Sequence, residues 1–522
     1  MCYMLAAGKK ATLDGSVLVG RNCDAVATMA TQLISVPARE HSLPSLIQIP
    51  STMPGKSGIE LAQVARTYAY MAIVAARKSW AMPMVLGGIN QYQVSAGAST
   101  GALVNDKVEK ISPWPETVVG DFMMTLVLER CKTAREGVEL VGSLTETYGA
   151  RGDIYILADP QEAWLIEQYQ GFHWAAARVP DDCFVVMANS FRLAEIHPED
   201  PNNYLCAPDL LSFAEKHGLW NPKQGPFHAS RAYGTHEMPA PRNYPSGYTG
   251  STLRSHGNQL RVWGGIQTLK PSAGLDALDA AKDYPLFWQP DQALKPADIL
   301  KVLKSYYPHT EFDEYHAMDE IFPHNIEEQS GHYRYAPVWG KARLIGTANT
   351  VTSWVTQSRA WLPDLLGGVL FAGLAAASTS PHVPLYACST QIPVVYQKGE
   401  WLEKNRYEAD SAYWLFENIG NLTNLFYQAL HEIVEKTWMD YEQNTLIRKE
   451  IVEQAALSLL PSHPEDAVKL LSDFSYQHAL EAYELGNDLL GEIFTRLALL
   501  NTPQTALQFQ NPADWKLSGM VH

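Results

Sequence analysis

The chain has 522 residues, long enough to bury a large core in one or more domains. A composition of 46% hydrophobic and 18% charged residues is that of an ordinary globular protein and excludes disorder along its whole length. The formal net charge of −16 repels phosphate backbones and argues against nucleic acid as a partner.

Hydrophobic alternation predicts β structure at the start of the chain. Residues 2–7 form a short apolar run, residues 16–21 a second and residues 32–37 a third. Asp14-Gly15 between the first two is a hairpin signal. Such a hairpin brings Cys2 back beside the end of the second strand, where Arg21 and Asp24 lie. Further strands are predicted over 68–76 and 85–98. Helical spacing predicts one helix over 121–148. Residues 154–158, 163–168 and 172–179 read as a meander whose first turn is Asp159-Pro160, and 183–189 as another buried strand. The Pro-, Asn-, Tyr- and Gly-rich stretch 201–256 predicts loops and short helices. Strand character returns over 343–357 and 384–396. From about 409 to 500 the pattern is helical, with segments at 425–439, 445–458 and 474–500. No fixed-period repeat and no linker interrupts the chain.

The six cysteines are Cys2, Cys23, Cys131, Cys183, Cys206 and Cys388. None forms a C-x-x-C pair, so no zinc-ribbon or thioredoxin-type motif is present. The N-terminus lacks a basic leader followed by a long apolar run, so no signal peptide is expected. Buried free thiols and a cytoplasmic location are therefore predicted. The apolar stretch 365–377 is too short and too Gly-rich to span a bilayer, so no membrane association is expected.

A cysteine directly after the initiator Met is chemically special. Removal of Met1 leaves a residue with both a thiol, of reference pKa about 8.5, and an α-amine, of reference pKa about 7.7–8.0. The amine can accept the thiol proton near neutral pH, so one residue supplies nucleophile and base. Gly20-Arg21-Asn22-Cys23-Asp24 closes the predicted hairpin beside it. An arginine there favours the thiolate, and an aspartate can hold the α-amine.

Cys2 with Arg21-Asn22-x-Asp24 after the first hairpin resembles the choloylglycine hydrolase and penicillin V acylase superfamily of N-terminal-nucleophile (Ntn) hydrolases. The wider chain is similar to its peptidase branch, the C69 dipeptidases. The likeness runs through Gly87-Gly88-Ile89-Asn90, Leu128-Glu129-Arg130 with Thr133-Ala134-Arg135-Glu136, and Ala158-Asp159-Pro160-Gln161-Glu162-Ala163-Trp164. It continues through Ala188-Asn189-Ser190, Arg261-Val262-Trp263 and Ser380-Pro381-His382-Val383-Pro384-Leu385-Tyr386.

The resemblance implies an α+β fold, a four-layer αββα Ntn-hydrolase sandwich with two antiparallel sheets. It places a catalytic domain over 2–400, with a loop and helical excursion at about 200–340. A mainly helical region over 401–522 packs on that core. It further implies amide hydrolysis through a thioester on Cys2, with no metal and no cofactor. Arg21 and Asp24 match the pair around the nucleophile. Asn189 matches an asparagine whose side-chain amide donates to the oxyanion, and Asn90 a position whose backbone N–H completes that hole. Arg261 matches a further active-site arginine that contacts substrate. Dipeptides are the expected substrates and a homo-oligomer the expected assembly. The alternatives are an N-acyl amidase, an inactive binding homologue and a metallodipeptidase.

Three other signals carry less. His431-Glu432-Ile433-Val434-Glu435 lacks the second histidine of a zinc helix. Asp313-Glu314-Tyr315-His316 with Asp319-Glu320 reads as a solvated acidic face. Arg151-Gly152-Asp153 opens a predicted strand.

Overall fold

The structure is a computed structural model that describes residues 2–51, 55–75, 82–112, 114–115, 120–234, 256–275, 284–310, 312–313, 326–329, 332–335, 343–400 and 406–500. Its frame is a pair of antiparallel sheets. In chain order their strands are β1 (Cys2–Ala7), β2 (Val17–Asp24), β3 (Thr31–Val36), β4 (Tyr70–Ala75), β5 (Met84–Asn90), β6 (Ser95–Ser99), β7 (Ile154–Ala158) and β8 (Ala163–Gln168). They continue as β9 (Trp174–Arg178), β10 (Phe184–Met187), β11 (Tyr204–Cys206), β12 (Phe287–Trp288), β13 (Thr350–Ser358), β14 (Val369–Leu374) and β15 (Val383–Tyr386). One sheet has seven strands in the order β12-β10-β1-β2-β13-β14-β15. The other has eight, in the order β11-β9-β8-β7-β6-β5-β4-β3.

β1 shows why the sheets stack. Its side chains alternate between two cores, Cys2, Met4 and Ala6 facing one and Tyr3, Leu5 and Ala7 the other. A strand that is apolar on both faces has to be covered on both. The second sheet covers the first face, with β6 against β1 and β2. Helices α3 (His256–Leu269) and α4 (Pro296–Leu303) cover the other, on β10, β2 and β13. Across the second sheet lie α1 (Met123–Arg130) and α2 (Ala134–Tyr148), on β5, β6 and β7 to β9. The four layers are therefore α, β, β, α. Helices α5 (Ala412–Leu425), α6 (Tyr427–Leu459) and α7 (Pro464–Leu500) pack together beside β14 and β15.

Several boundaries depart from the sequence reading. Residues 85–98 are a hairpin, not one strand. The chain reverses through Gln93, at φ 62°, where the Asn90 carbonyl accepts the Gln93 N–H at 2.8 Å. The helix expected over 121–148 is broken, because Thr133 Oγ1 accepts the Glu136 N–H at 3.1 Å and starts a new helix. Strand β13 begins only at Thr350, after a turn in which Thr350 N–H meets the Thr347 carbonyl at 3.1 Å. The strand expected over 384–396 ends at Tyr386, and the segments at 425–439 and 445–458 are one helix. Glu314, Tyr315, His316, Asp319 and Glu320 lie outside the described residues, as do Met1, 401–405 and 501–522.

Candidate active site

Register builds the site. In the β1–β2 ladder Cys2 stands opposite Cys23, and Met4 opposite Arg21. Period-two alternation then puts the Cys2, Arg21 and Cys23 side chains on the face between the sheets. All three are buried. Arg21 Nη2 donates to Cys2 Sγ at 3.3 Å, and its Nη1 donates to the Leu86 carbonyl. The same carbonyl accepts Trp354 Nε1 at 3.2 Å. The indole packs against Gly87 and Gly97, where a Cβ would come within 2.0 Å and 3.0 Å of its ring. Two glycines and one tryptophan thus make the slot that aims the guanidinium at sulfur.

On the other side of β1, the β1–β10 register pairs Met4 with Met187. Carried on by two residues, it brings Asn189 opposite Cys2. Asn189 Oδ1 accepts the Cys2 N–H at 3.3 Å and Arg261 Nη2 at 3.0 Å. The Cys2 nitrogen is here the amide joined to Met1 and stands in for the α-amine of a trimmed chain. Arg261 Nη1 donates to the Cys2 carbonyl at 2.9 Å, and Nη2 also meets Asn258 Oδ1 at 2.5 Å. An arginine can only donate, so the Asn189 amide has one permitted orientation. Its Nδ2 faces Ser99 Oγ at 3.0 Å and the Thr100 carbonyl at 2.7 Å.

The electrostatics favour an ionised nucleophile. The Cys2 thiol is held well below the ordinary cysteine range, first by a hydrogen bond from the Cys23 thiol, against burial, with the Arg21 charge assisting. Cys23 is pushed well up, first by that same bond and then by burial. The remaining cysteines are lifted chiefly by burial, Cys131, Cys183 and Cys388 to about 12 and Cys206 to about 11.

The structure brings Cys2, Arg21, Asn189 and Arg261 into one cluster. Asp24 takes a different position. It follows Cys23 in β2, so it lies on the opposite face, where Arg343 Nη2 meets Oδ2 at 2.6 Å and Thr350 Oγ1 meets Oδ1 at 2.7 Å. The oxygen that meets the Cys2 nitrogen belongs to Asn189. Asn90 requires a correction. Its backbone N–H donates to the Val94 carbonyl at 2.9 Å within the β5–β6 reversal. Its side chain bonds the Leu128 and Cys131 carbonyls at 3.0 and 2.8 Å. The N–H expected to complete an oxyanion hole is already used by the hairpin.

Sequence reasoning missed Asn258, Ser99, Thr100 and Arg343. Asn258 and Arg261 are three apart on α3, a spacing that aims both at one target and could have flagged the pair. Glu167 was missed as well. Its Oε1 accepts the backbone N–H groups of Arg192 at 2.5 Å and Leu193 at 3.0 Å, fixing the loop that follows Asn189. Burial pushes this carboxyl up to about 7. Among the described residues no group of three or more His, Cys, Asp or Glu side chains is placed to hold a metal ion, and no helix is long and apolar enough to cross a membrane.

The family model described as "Peptidase family C69" matches residues 1–440. The chain belongs to peptidase family C69. It is a peptide-bond hydrolase in that family's sense, and the cluster around Cys2 is its candidate active site. Among C69-like relatives, a probable dipeptidase of Latilactobacillus sakei is 27% identical over 497 residues, with 95% of each chain covered. A probable dipeptidase B of Lactococcus lactis subsp. lactis is 27% identical over 524 residues, with 97% of each chain covered. A solved structure of the C2A mutant of a conjugated bile acid hydrolase from Clostridium perfringens is 16% identical. It aligns over 35% of this C69 chain and 53% of its own, with a TM-score of 0.25.

Proposed function

We propose that this C69 chain hydrolyses dipeptides through a thioester on Cys2, after whatever precedes Cys2 has been removed. The observation that carries the reading is that Cys2 is gripped at both reacting atoms: sulfur by Arg21 at 3.3 Å, nitrogen by Asn189 at 3.3 Å. Dipeptides are the substrate because full-length relatives are named probable dipeptidases.

The thiol proton rests on the α-amine, and the thiolate attacks the scissile carbonyl carbon. The Asn189 amide exchanges its Ser99 hydroxyl for the developing oxyanion, with the Arg21 charge alongside. A preorganised donor of this kind is worth about 10²–10³ in rate. The α-ammonium then protonates the leaving nitrogen, the C–N bond breaks and the thioester remains. The freed amine takes a proton from water, the resulting hydroxide attacks the thioester carbon, and the thiolate leaves. Arg261 holds the Cys2 carbonyl and the Asn189 oxygen together, so it sets the distance between nucleophile and donor. Six free cysteines suit a reducing compartment, in keeping with a cytoplasmic location.

The test is a substrate panel with the trimmed enzyme: free dipeptides, N-acyl amino acids and conjugated bile salts, each with chelator and with iodoacetamide. Cleavage of dipeptides, lost with iodoacetamide and retained with chelator, is expected. Turnover confined to the N-acyl amides, or loss with chelator alone, would contradict the reading.

A further inference from the structure

Cys23 is a buried thiol that the mechanism above does not use, and its placement is specific. The Cys2 nitrogen and carbonyl point away from β2, toward Asn189 and Arg261. Cys2 and Cys23 are therefore a non-hydrogen-bonded pair of the β1–β2 ladder. Opposed Cα atoms in such pairs are about 4.5 Å apart, with the side chains drawn together. A disulfide needs a Cα separation of roughly 4.4–6.8 Å. Both side chains point to the same face, into the core between the two sheets.

We infer that Cys2 and Cys23 form a reversible disulfide under peroxide, a modification site that switches the nucleophile off and shields it from irreversible oxidation. The loss of activity rests on the proposed role of Cys2; the bond itself does not. The Cys2 thiolate attacks one oxygen of hydrogen peroxide. The S–O bond forms, the O–O bond breaks, and the departing hydroxide takes up a proton to become water. The Cys23 sulfur, giving up its proton, attacks the Cys2 sulfenic acid. The S–S bond forms and the S–O bond breaks, releasing a second water. Two thiols and one peroxide thus give a disulfide and two waters. An external dithiol reverses the change by exchange. Without a resolving thiol in reach, a sulfenic acid goes on to the irreversible sulfinic and sulfonic acids. The other four cysteines are lifted in pKa and hold little thiolate, so the reaction is selective.

The experiment titrates the purified active enzyme with hydrogen peroxide, then maps peptides without reductant and assays dipeptide turnover before and after dithiothreitol. In the wild type we expect a Cys2–Cys23 crosslink with loss of two hydrogens, near-complete loss of turnover, and near-complete recovery with dithiothreitol. Cys23→Ser and Cys23→Ala, each compared with its own untreated sample, are expected to gain oxygens on Cys2 and to stay inactive after reduction. Wild-type enzyme inactivated by oxygen addition at Cys2 with no crosslink would overturn the switch alone. So would a Cys23 variant that recovers as the wild type does. A crosslinked chain that still turned over dipeptides would overturn the switch and the nucleophile assignment together.

Discussion

At the residue scale, the proposed chemistry turns on one side chain with two reacting atoms. Cys2→Ala is expected to abolish turnover, a loss of more than about 10³-fold, with little change in melting temperature, because the alanine keeps the strand and its register. Kinetics and thermal melts on the same preparation check both halves. The pH dependence follows from the lowered thiol. A depressed pKa keeps the thiolate populated below the ordinary value of about 8.5, so activity persists to lower pH than for an unperturbed cysteine. Arg21→Met removes one of the causes of that depression and is expected to move the acidic limb of kcat/KM upward. An unmoved limb would show that the guanidinium does not act on sulfur. The sequence made Cys2 and Arg21 legible, because position two and a hairpin signal suffice to bring them together. It did not make Asn90 legible. Whether a backbone N–H is free depends on the turn after it, and here the Val94 carbonyl takes it.

At the element scale, much of what resembles the family is architecture. Asp159, in the Ala158-to-Trp164 motif, accepts the N–H groups of Ala134 at 2.8 Å, Gln161 at 2.6 Å and Glu162 at 3.1 Å. One carboxylate closes the β7–β8 turn and ties down the start of α2. Asp159→Ala is therefore expected to cost about 1–3 kcal/mol of stability while leaving kcat unchanged, as measured by urea unfolding and steady-state kinetics. His382, in the motif from Ser380 to Tyr386, bridges Ser353 Oγ at 3.1 Å and Glu442 at 3.0 Å, joining β13 to α6. The pattern of apolar residues predicted most strands. It did not predict the break between α1 and α2, since Cys131 and Val138 keep helical spacing across it. The stop comes from capping by Thr133, a local hydrogen bond that periodicity does not register.

At the scale of the whole molecule, buried ion pairs fasten the helical tail to the sheets. Arg359 meets Glu453 through two bonds, at 2.9 and 2.6 Å, and Tyr386 and Lys449 reach the same carboxylate at 2.8 Å each. Burial alone would raise Glu453, but Arg359 and Lys449 hold it at about 2. This carboxylate's contribution is complete above the unfolded value of about 4.3 and is lost as pH falls through about 2. Arg359→Met leaves only Lys449 and Tyr386 on this carboxylate and is expected to cost about 1–3 kcal/mol, read as a lowered midpoint in thermal melts at neutral pH. Glu417 on α5 has the opposite sign. Burial pushes it up to about 8, with Asn421 as its hydrogen-bond partner at 3.3 Å. A raised folded value means stability is lost as pH climbs from about 4.3 toward 8. Glu417→Gln is thus expected to stabilise by about 1–3 kcal/mol at the alkaline end of that window and to change little at its acid end. Equal effects at both ends would contradict the assignment. The sequence shows a helical tail but not its fastening to the sheets, because Arg359 and Tyr386 lie 94 and 67 residues from Glu453.

The most direct test of the central claim is the mass of the enzyme trapped with a slowly hydrolysed dipeptide ester. One acyl group is expected, mapped to a peptide that begins with Cys2 and lacks Met1, on sulfur or, after the S-to-N shift of the unfolded N-terminal cysteine, on its α-nitrogen. An acyl group on another residue, or an active chain that still carries Met1, would contradict it.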